Sequence, residues 1–248
     1  MRYLITFSYD GSSFKGYQRQ KGLKTVQGSI EEVLTSLNNK KVNLVSSGRT
    51  DIGVHAINQK AHFDLDINIT LYGLRKVLNK KLNGEIYVKD VRIVDKSFHA
   101  RYDVVSKAYS YYINTLEYNP IERNYVYQFN NKLDICRMKE ALNLLVGCHD
   151  FRGFCFQCKE KENTIREIYD FSISENYGII KLSITGNGFL RKMVRNVVGT
   201  LIEIATYKKE VSEITKILDN KGNYHNKKCV PGCGLYLENV IYRSEIND

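Results

Sequence analysis

Proline is scarce in this sequence, with two residues in 248, and no Pro/Gly/Ser-rich or low-complexity stretch interrupts it. These absences argue against a disordered chain and against two domains on a tether. No apolar run approaches the ~18 residues that a membrane-crossing helix needs, which excludes a helical membrane protein. Met1-Arg2-Tyr3-Leu4 opens directly into a strand-like pattern and lacks the apolar core of a signal peptide. The expectation is a cytoplasmic protein without a membrane partner.

What is present fits a compact globular chain, with 43% hydrophobic and 26% charged residues. Lysine and arginine total 37 against 27 acidic residues, and the resulting charge of +10 favours a polyanionic partner, nucleic acid first. Eighteen tyrosines and ten phenylalanines add to that reading, because aromatic faces stack on unpaired bases, although most must form core. In a cytoplasmic setting the six cysteines are expected as reduced thiols. Cys155-x-x-Cys158 and Cys229-x-x-x-Cys233 supply four thiols in two close pairs, the number a structural zinc needs. The pairs are far apart in sequence, and Cys155 lies in the aromatic stretch Phe151-Arg152-Gly153-Phe154-Cys155-Phe156, which resembles packing. No metal is expected there.

Periodicity places strands at residues 3–9, 42–47, 59–65 and 85–95, and helices at 26–37, capped by Thr25, and at 70–82. That order is β-α-β-β-α-β, the ferredoxin-like unit. Further strands are expected at 104–114, 164–174 and 178–185, and helices near 134–145 and 189–206. The fold class is α+β: two units, 1–103 and 104–248, sharing an extended, mostly antiparallel sheet, with a single mixed α/β domain as the alternative.

Gly48-Arg49-Thr50-Asp51-Ile52-Gly53-Val54-His55-Ala56 carries the chemistry. Two glycines bracket it, so the backbone can turn sharply and approach a ligand. By residue type alone, Asp51 reads either as a turn-maker or as a fixed carboxylate that Arg49 pairs with and aims. His55 reads as a structural or capping histidine ahead of a base.

This nonapeptide resembles the signature of the TruA family of tRNA pseudouridine synthases, departing from it only at Ile52, where the family has alanine. The resemblance continues at Tyr9-Asp10-Gly11, Phe14-x-Gly16-Tyr17-Gln18-Arg19-Gln20, Gln59-x-x-His62-Phe63, Phe98-His99-Ala100-Arg101 and Lys107-x-Tyr109-x-Tyr111. It ends at Gly188-Phe189-Leu190-x-x-Met193-Val194-Arg195 and Gly234-Leu235-x-Leu237-x-x-Val240-x-Tyr242. Where the family more often has tryptophan, Tyr17 is expected to keep an aromatic stacking surface. Lys107 replaces the usual arginine.

The resemblance implies two ferredoxin-like halves around a continuous sheet, a central basic cleft and a homodimer acting on tRNA, with the anticodon stem-loop as the usual target. It also implies Asp51 as nucleophile, Tyr109 as the aromatic packed on the target uracil, Arg195 as the cation paired with Asp51, and Leu235 as an apolar wall of the base pocket. Arg49 is a further candidate contact to RNA. Arg191 and Arg195, four apart on one expected helix, are placed to act together, and Arg19, Lys21 and Lys24 are candidate phosphate contacts.

The implied reaction breaks the N1 glycosidic bond of uridine and rejoins the uracil through C5, with no net redox change and no group transferred. No cofactor is needed. A carboxylate adding to uracil C6 or attacking ribose C1′ both satisfy the chemistry. A catalytically silent RNA-binding protein is the competing reading, and the intact loop from Gly48 to Ala56 argues against it.

Overall fold

The computed structural model describes residues 1–82, 84–158, 163–219 and 228–245. In chain order the elements are β1 (Arg2–Tyr9), α1 (Val26–Asn38), β2 (Val45–Ser46), β3 (His55–Asp64), α2 (Leu71–Lys81), β4 (Ile86–Val94) and β5 (Val104–Asn114). There follow β6 (Tyr127–Gln128), α3 (Ile135–Asn143), β7 (Gly147–Asp150), β8 (Ile165–Asn176), β9 (Ile179–Gly186), α4 (Met193–Ala205), α5 (Glu213–Asp219) and β10 (Leu235–Tyr242). The fold is mixed α+β. It divides into two compact units, Met1–Val105 joined by the chain from Tyr236 onward, and Ser106–Leu235.

In the first unit β1 lies between β4 and β3, antiparallel to both. β3 carries two short partners on its other edge: β2 antiparallel at Ala61 and His62, and β10 parallel at His55 and Ala56. The order β4-β1-β3-β2 is that of a ferredoxin-like unit. Thr25 caps α1 as expected, its hydroxyl accepting from the Gly28 N–H, and Thr70 does the same for α2. Tyr3, Ile5 and Phe7 of β1 are fully buried, as are Ile30 and Leu34 of α1 and Leu74 and Leu78 of α2.

Two strand boundaries differ from the sequence expectation. Only Val45 and Ser46 of the expected strand 42–47 enter the sheet, because side chains of α1 take the backbone groups before them. The Leu44 N–H donates to the Glu31 carboxylate at 2.9 Å and the Val42 N–H to the Thr35 hydroxyl at 3.1 Å. β3 begins four residues early, at His55, since polar side chains such as His55, Gln59 and His62 point inward and hide the alternation.

The second unit has the sheet order β5-β9-β8-β7, with β6 parallel to the end of β5. α4 is its central helix: every residue except Arg195 and Glu203 is buried. It begins at Met193, not near 189, because Lys192 adopts a left-handed conformation (φ 59°) that no helix can run through.

Candidate active site

The loop 47–54 connects β2 to β3, and buried groups brace it. Gln59, fully buried on β3, accepts from the Ser47 hydroxyl at 2.6 Å and donates from Nε2 to the Gly48 carbonyl at 3.1 Å. The Ser46 hydroxyl donates to the same carbonyl at 3.0 Å. The next residue but one is held twice: the Thr50 and Tyr9 hydroxyls are 2.9 Å apart, and the Thr50 carbonyl accepts from the Tyr17 N–H at 3.1 Å. Asp51 then closes a tight turn, its carbonyl accepting from the Val54 N–H at 3.2 Å. The turn passes through Gly53 at φ +78°, where a side chain would be strained. A second glycine, Gly11, lets the neighbouring loop lie against this one, because a Cβ there would collide with the Val54 carbonyl. Asp51 is left half-buried between exposed Arg49 and exposed Ile52, on a segment fixed before and after it.

Two expectations change around this loop, those for Arg49 and Tyr17, while His55 takes the structural place expected of it. Arg49 enters no ion pair among the described residues; it sits two residues before Asp51, ahead of the turn, and is exposed to solvent. Tyr17 offers no stacking surface: it is 2% exposed and packs beside Tyr9 at 6.3 Å between ring centroids. Burial pushes the Tyr9 hydroxyl up to about 12, against the opposing pull of its hydrogen bonds to Thr50 and Gln59, so it stays protonated at neutral pH. His55 is structural. Its Nδ1 accepts from the Gly11 N–H at 3.1 Å, and its ring stacks on Tyr236 at 4.6 Å. The Asp10 carboxylate lies 3.3 Å from the same nitrogen.

In the second unit Tyr109 lies in the middle of β5, opposite Ile184 of β9, half-buried and edge-on to Phe189 at 5.1 Å. Tyr111, two residues on and so on the same face, is fully buried and donates to the Pro231 carbonyl at 2.8 Å. Arg195 projects from the first turn of α4, its Nε donating to the Val230 carbonyl at 2.8 Å. Arg191 precedes the helix, so the expected pair on one helical face does not form; its guanidinium lies 5.1 Å from the Phe156 ring centre. Leu235 is buried at the start of β10.

The cysteines also depart from expectation. Cys155 and Cys158 are joined as a disulfide with Cα atoms 5.9 Å apart, in place of the two reduced thiols expected. Burial pushes the Cys233 thiol up, which opposes the thiolate that a metal requires. Cys229 and Cys233 form no disulfide among the described residues.

Sequence reasoning missed the braces. Gln59 and Tyr9 were visible only as residues in a motif, and the available signal was a polar side chain at an inward-facing strand position, which a buried hydrogen bond must explain.

An α+β protein of charge +10 that displays a half-buried carboxylate on a braced loop fits the class of RNA-modifying isomerases. The sequence model of the family described as tRNA pseudouridine synthase matches residues 5–103 and 141–243, and the chain belongs to that family. It is 40% identical over 245 residues to the tRNA pseudouridine synthase A of Bacillus subtilis, covering 98% of this chain and 99% of that one. A tRNA pseudouridine synthase A 2 of Bacillus cereus is 39% identical over 242 residues, 97% of this chain and 99% of the relative. The tRNA pseudouridine synthase A of Caldicellulosiruptor bescii is 38% identical over 240 residues, covering 96% and 98%.

Proposed function

We propose that this chain isomerises uridine to pseudouridine in the anticodon stem-loop of tRNA, with Asp51 as the nucleophile acting on a flipped-out uridine. The observation that carries the proposal is the bracing of loop 47–54, which fixes the backbone on both sides of one half-buried carboxylate. A nucleophile gains most when its position is set before the substrate arrives. The carboxylate bonds to uracil C6 or ribose C1′, the N1–C1′ bond breaks, the uracil turns and C5 bonds to C1′; the bond to the carboxylate then breaks to return free Asp51, the C5 hydrogen leaves to water and N1 is protonated. Electrons balance without an oxidant, so the reaction requires no cofactor.

A base stacked in RNA is out of reach, so the uridine must be extruded and its lost stacking replaced. Tyr109 is assigned to the uracil face, Arg195 to the charge of the Asp51 carboxylate, Leu235 to the apolar wall of the pocket and exposed Arg49 to the RNA. Residues 1–103 supply the nucleophile, and residues 104–248 supply the pocket groups. The enzyme is assigned to the cytoplasm as a homodimer. Pseudouridine mapping in tRNA from cells with and without this protein tests the target: the modification should disappear from the 3′ side of the anticodon arm, and an unchanged tRNA map refutes the assignment.

A further inference from the structure

Tyr102 is 75% exposed, yet its ring is not loose. It stacks on His99 at 4.3 Å with an interplanar angle of 25°, and the Arg101 guanidinium lies 5.9 Å from its centre. The turn beneath is tied at each residue. The His99 N–H donates to the Asp103 carboxylate at 2.7 Å, and His99 Nδ1 accepts from the Arg101 and Tyr102 N–H groups at 3.2 and 3.3 Å. Three strands hold the same segment. Arg2 of β1 donates to the Lys96 and Phe98 carbonyls at 2.5 and 2.9 Å, His62 of β3 accepts from the Ala100 N–H at 3.0 Å, and the Tyr242 hydroxyl of β10 donates to the Ala100 carbonyl at 2.8 Å. An aromatic ring left in water forgoes the gain of burial, while one already ordered loses little entropy when a ligand covers it.

We infer that Tyr102, backed by His99 and flanked by Arg101, is a second RNA contact that stacks on an unpaired base of the tRNA substrate. The inference rests on the tRNA reading above. A ring 75% exposed, stacked on His99 and with a guanidinium near it, suits a base and its phosphate, since every base has a face to stack and the cation meets the backbone charge. The alternative occupant, a second copy of this chain, would bring its own +10 charge to Arg101.

The platform is remote from Asp51. Along β1, Arg2 pairs with Asp64 and Val94 beside the platform, whereas Tyr9 pairs with Ala56 beside the catalytic loop. Seven strand steps separate these ends by about 23 Å. Tyr102 therefore acts on binding of a distant nucleotide and leaves the chemistry alone.

The chain contains no tryptophan, so Tyr102→Trp creates a single tryptophan whose emission can be excited apart from that of the tyrosines. Adding tRNA should quench its fluorescence to saturation. In filter binding Tyr102→Ala should weaken tRNA affinity about fivefold or more, the value of one base stack, while Tyr102→Phe matches wild type. Single-turnover rates at saturating tRNA should be alike in all three. Unchanged emission at saturation, or Tyr102→Ala binding within twofold of wild type, overturns the platform. So does a change of oligomeric state in Tyr102→Ala without RNA, which assigns the ring to a second copy. Wild type that binds tRNA without modifying it refutes the enzyme reading alone, because the platform is judged on binding; wild type that does neither refutes both.

Discussion

Replacing Gln59 by leucine keeps the side-chain volume and removes two side-chain hydrogen bonds to the Asp51 loop, at 2.6 Å from the Ser47 hydroxyl and 3.1 Å to the Gly48 carbonyl, together with its bond to the Tyr9 hydroxyl. Each is worth about 1 kcal/mol net, and more where a buried partner is left unsatisfied. The Gly48 carbonyl retains the Ser46 hydroxyl, which limits the loss. The expected cost is about 1–3 kcal/mol, a fall of roughly 1 M or less in the urea midpoint. The effect on turnover should be larger than that cost suggests, because a nucleophile misplaced by about 1 Å loses on the order of a hundredfold in rate. Single-turnover assays should show the chemical step slowed about 10- to 100-fold, with tRNA affinity within about twofold of wild type. A variant destabilised by less than about 0.5 kcal/mol that turns over at the wild-type rate refutes the bracing role.

The His62 imidazole, pulled down to about 4 by burial and then by the Arg2 cation and His99, lies below the ordinary value of 6.5. Its contribution to stability is complete above about 6.5 and is lost towards 4, because the unfolded chain takes up the proton first, at up to about 1.4 kcal/mol per pH unit. Urea midpoints at pH 7 and pH 5 should fall more in wild type than in His62→Gln; equal falls contradict the assignment. Tyr109→Phe should slow catalysis more than it weakens binding, and Tyr109→Leu should harm both; kinetics within about threefold of wild type in both variants return Tyr109 to a packing role. Affinity for tRNA should fall steeply as salt rises from roughly 50 to 200 mM, and a flat response contradicts phosphate-dominated binding.

The first unit was legible because most of its apolar residues keep the helical period: Ile30, Val33 and Leu34 in α1, and Leu74, Leu78 and Leu82 in and after α2, are buried, while Leu37 and Val77 are half-buried and Leu71, placed inward by the same pattern, is exposed. The pattern lost its meaning where side chains replaced backbone partners, as Glu31 and Thr35 do for residues 42–44. It also lost its meaning where one backbone angle decided a boundary, as Lys192 does for α4. The reactive loop was legible as a motif, yet its physical support was not: Gln59 and Tyr9 act through hydrogen bonds between residues distant in sequence, which no spacing rule encodes. The ring of Tyr102, three residues from His99, became a platform only once its exposure was known.

The most direct measurement uses tRNA tritiated at uridine C5, because forming the new bond at that carbon must release its hydrogen to water. Wild-type protein should release the label without added cofactor or metal. Asp51→Asn is nearly isosteric and removes the nucleophile, so it should bind tRNA as tightly as wild type or slightly tighter while release falls by several orders of magnitude. Wild type that releases no label contradicts the enzyme assignment, and Asp51→Asn that releases it at a comparable rate contradicts the role of Asp51.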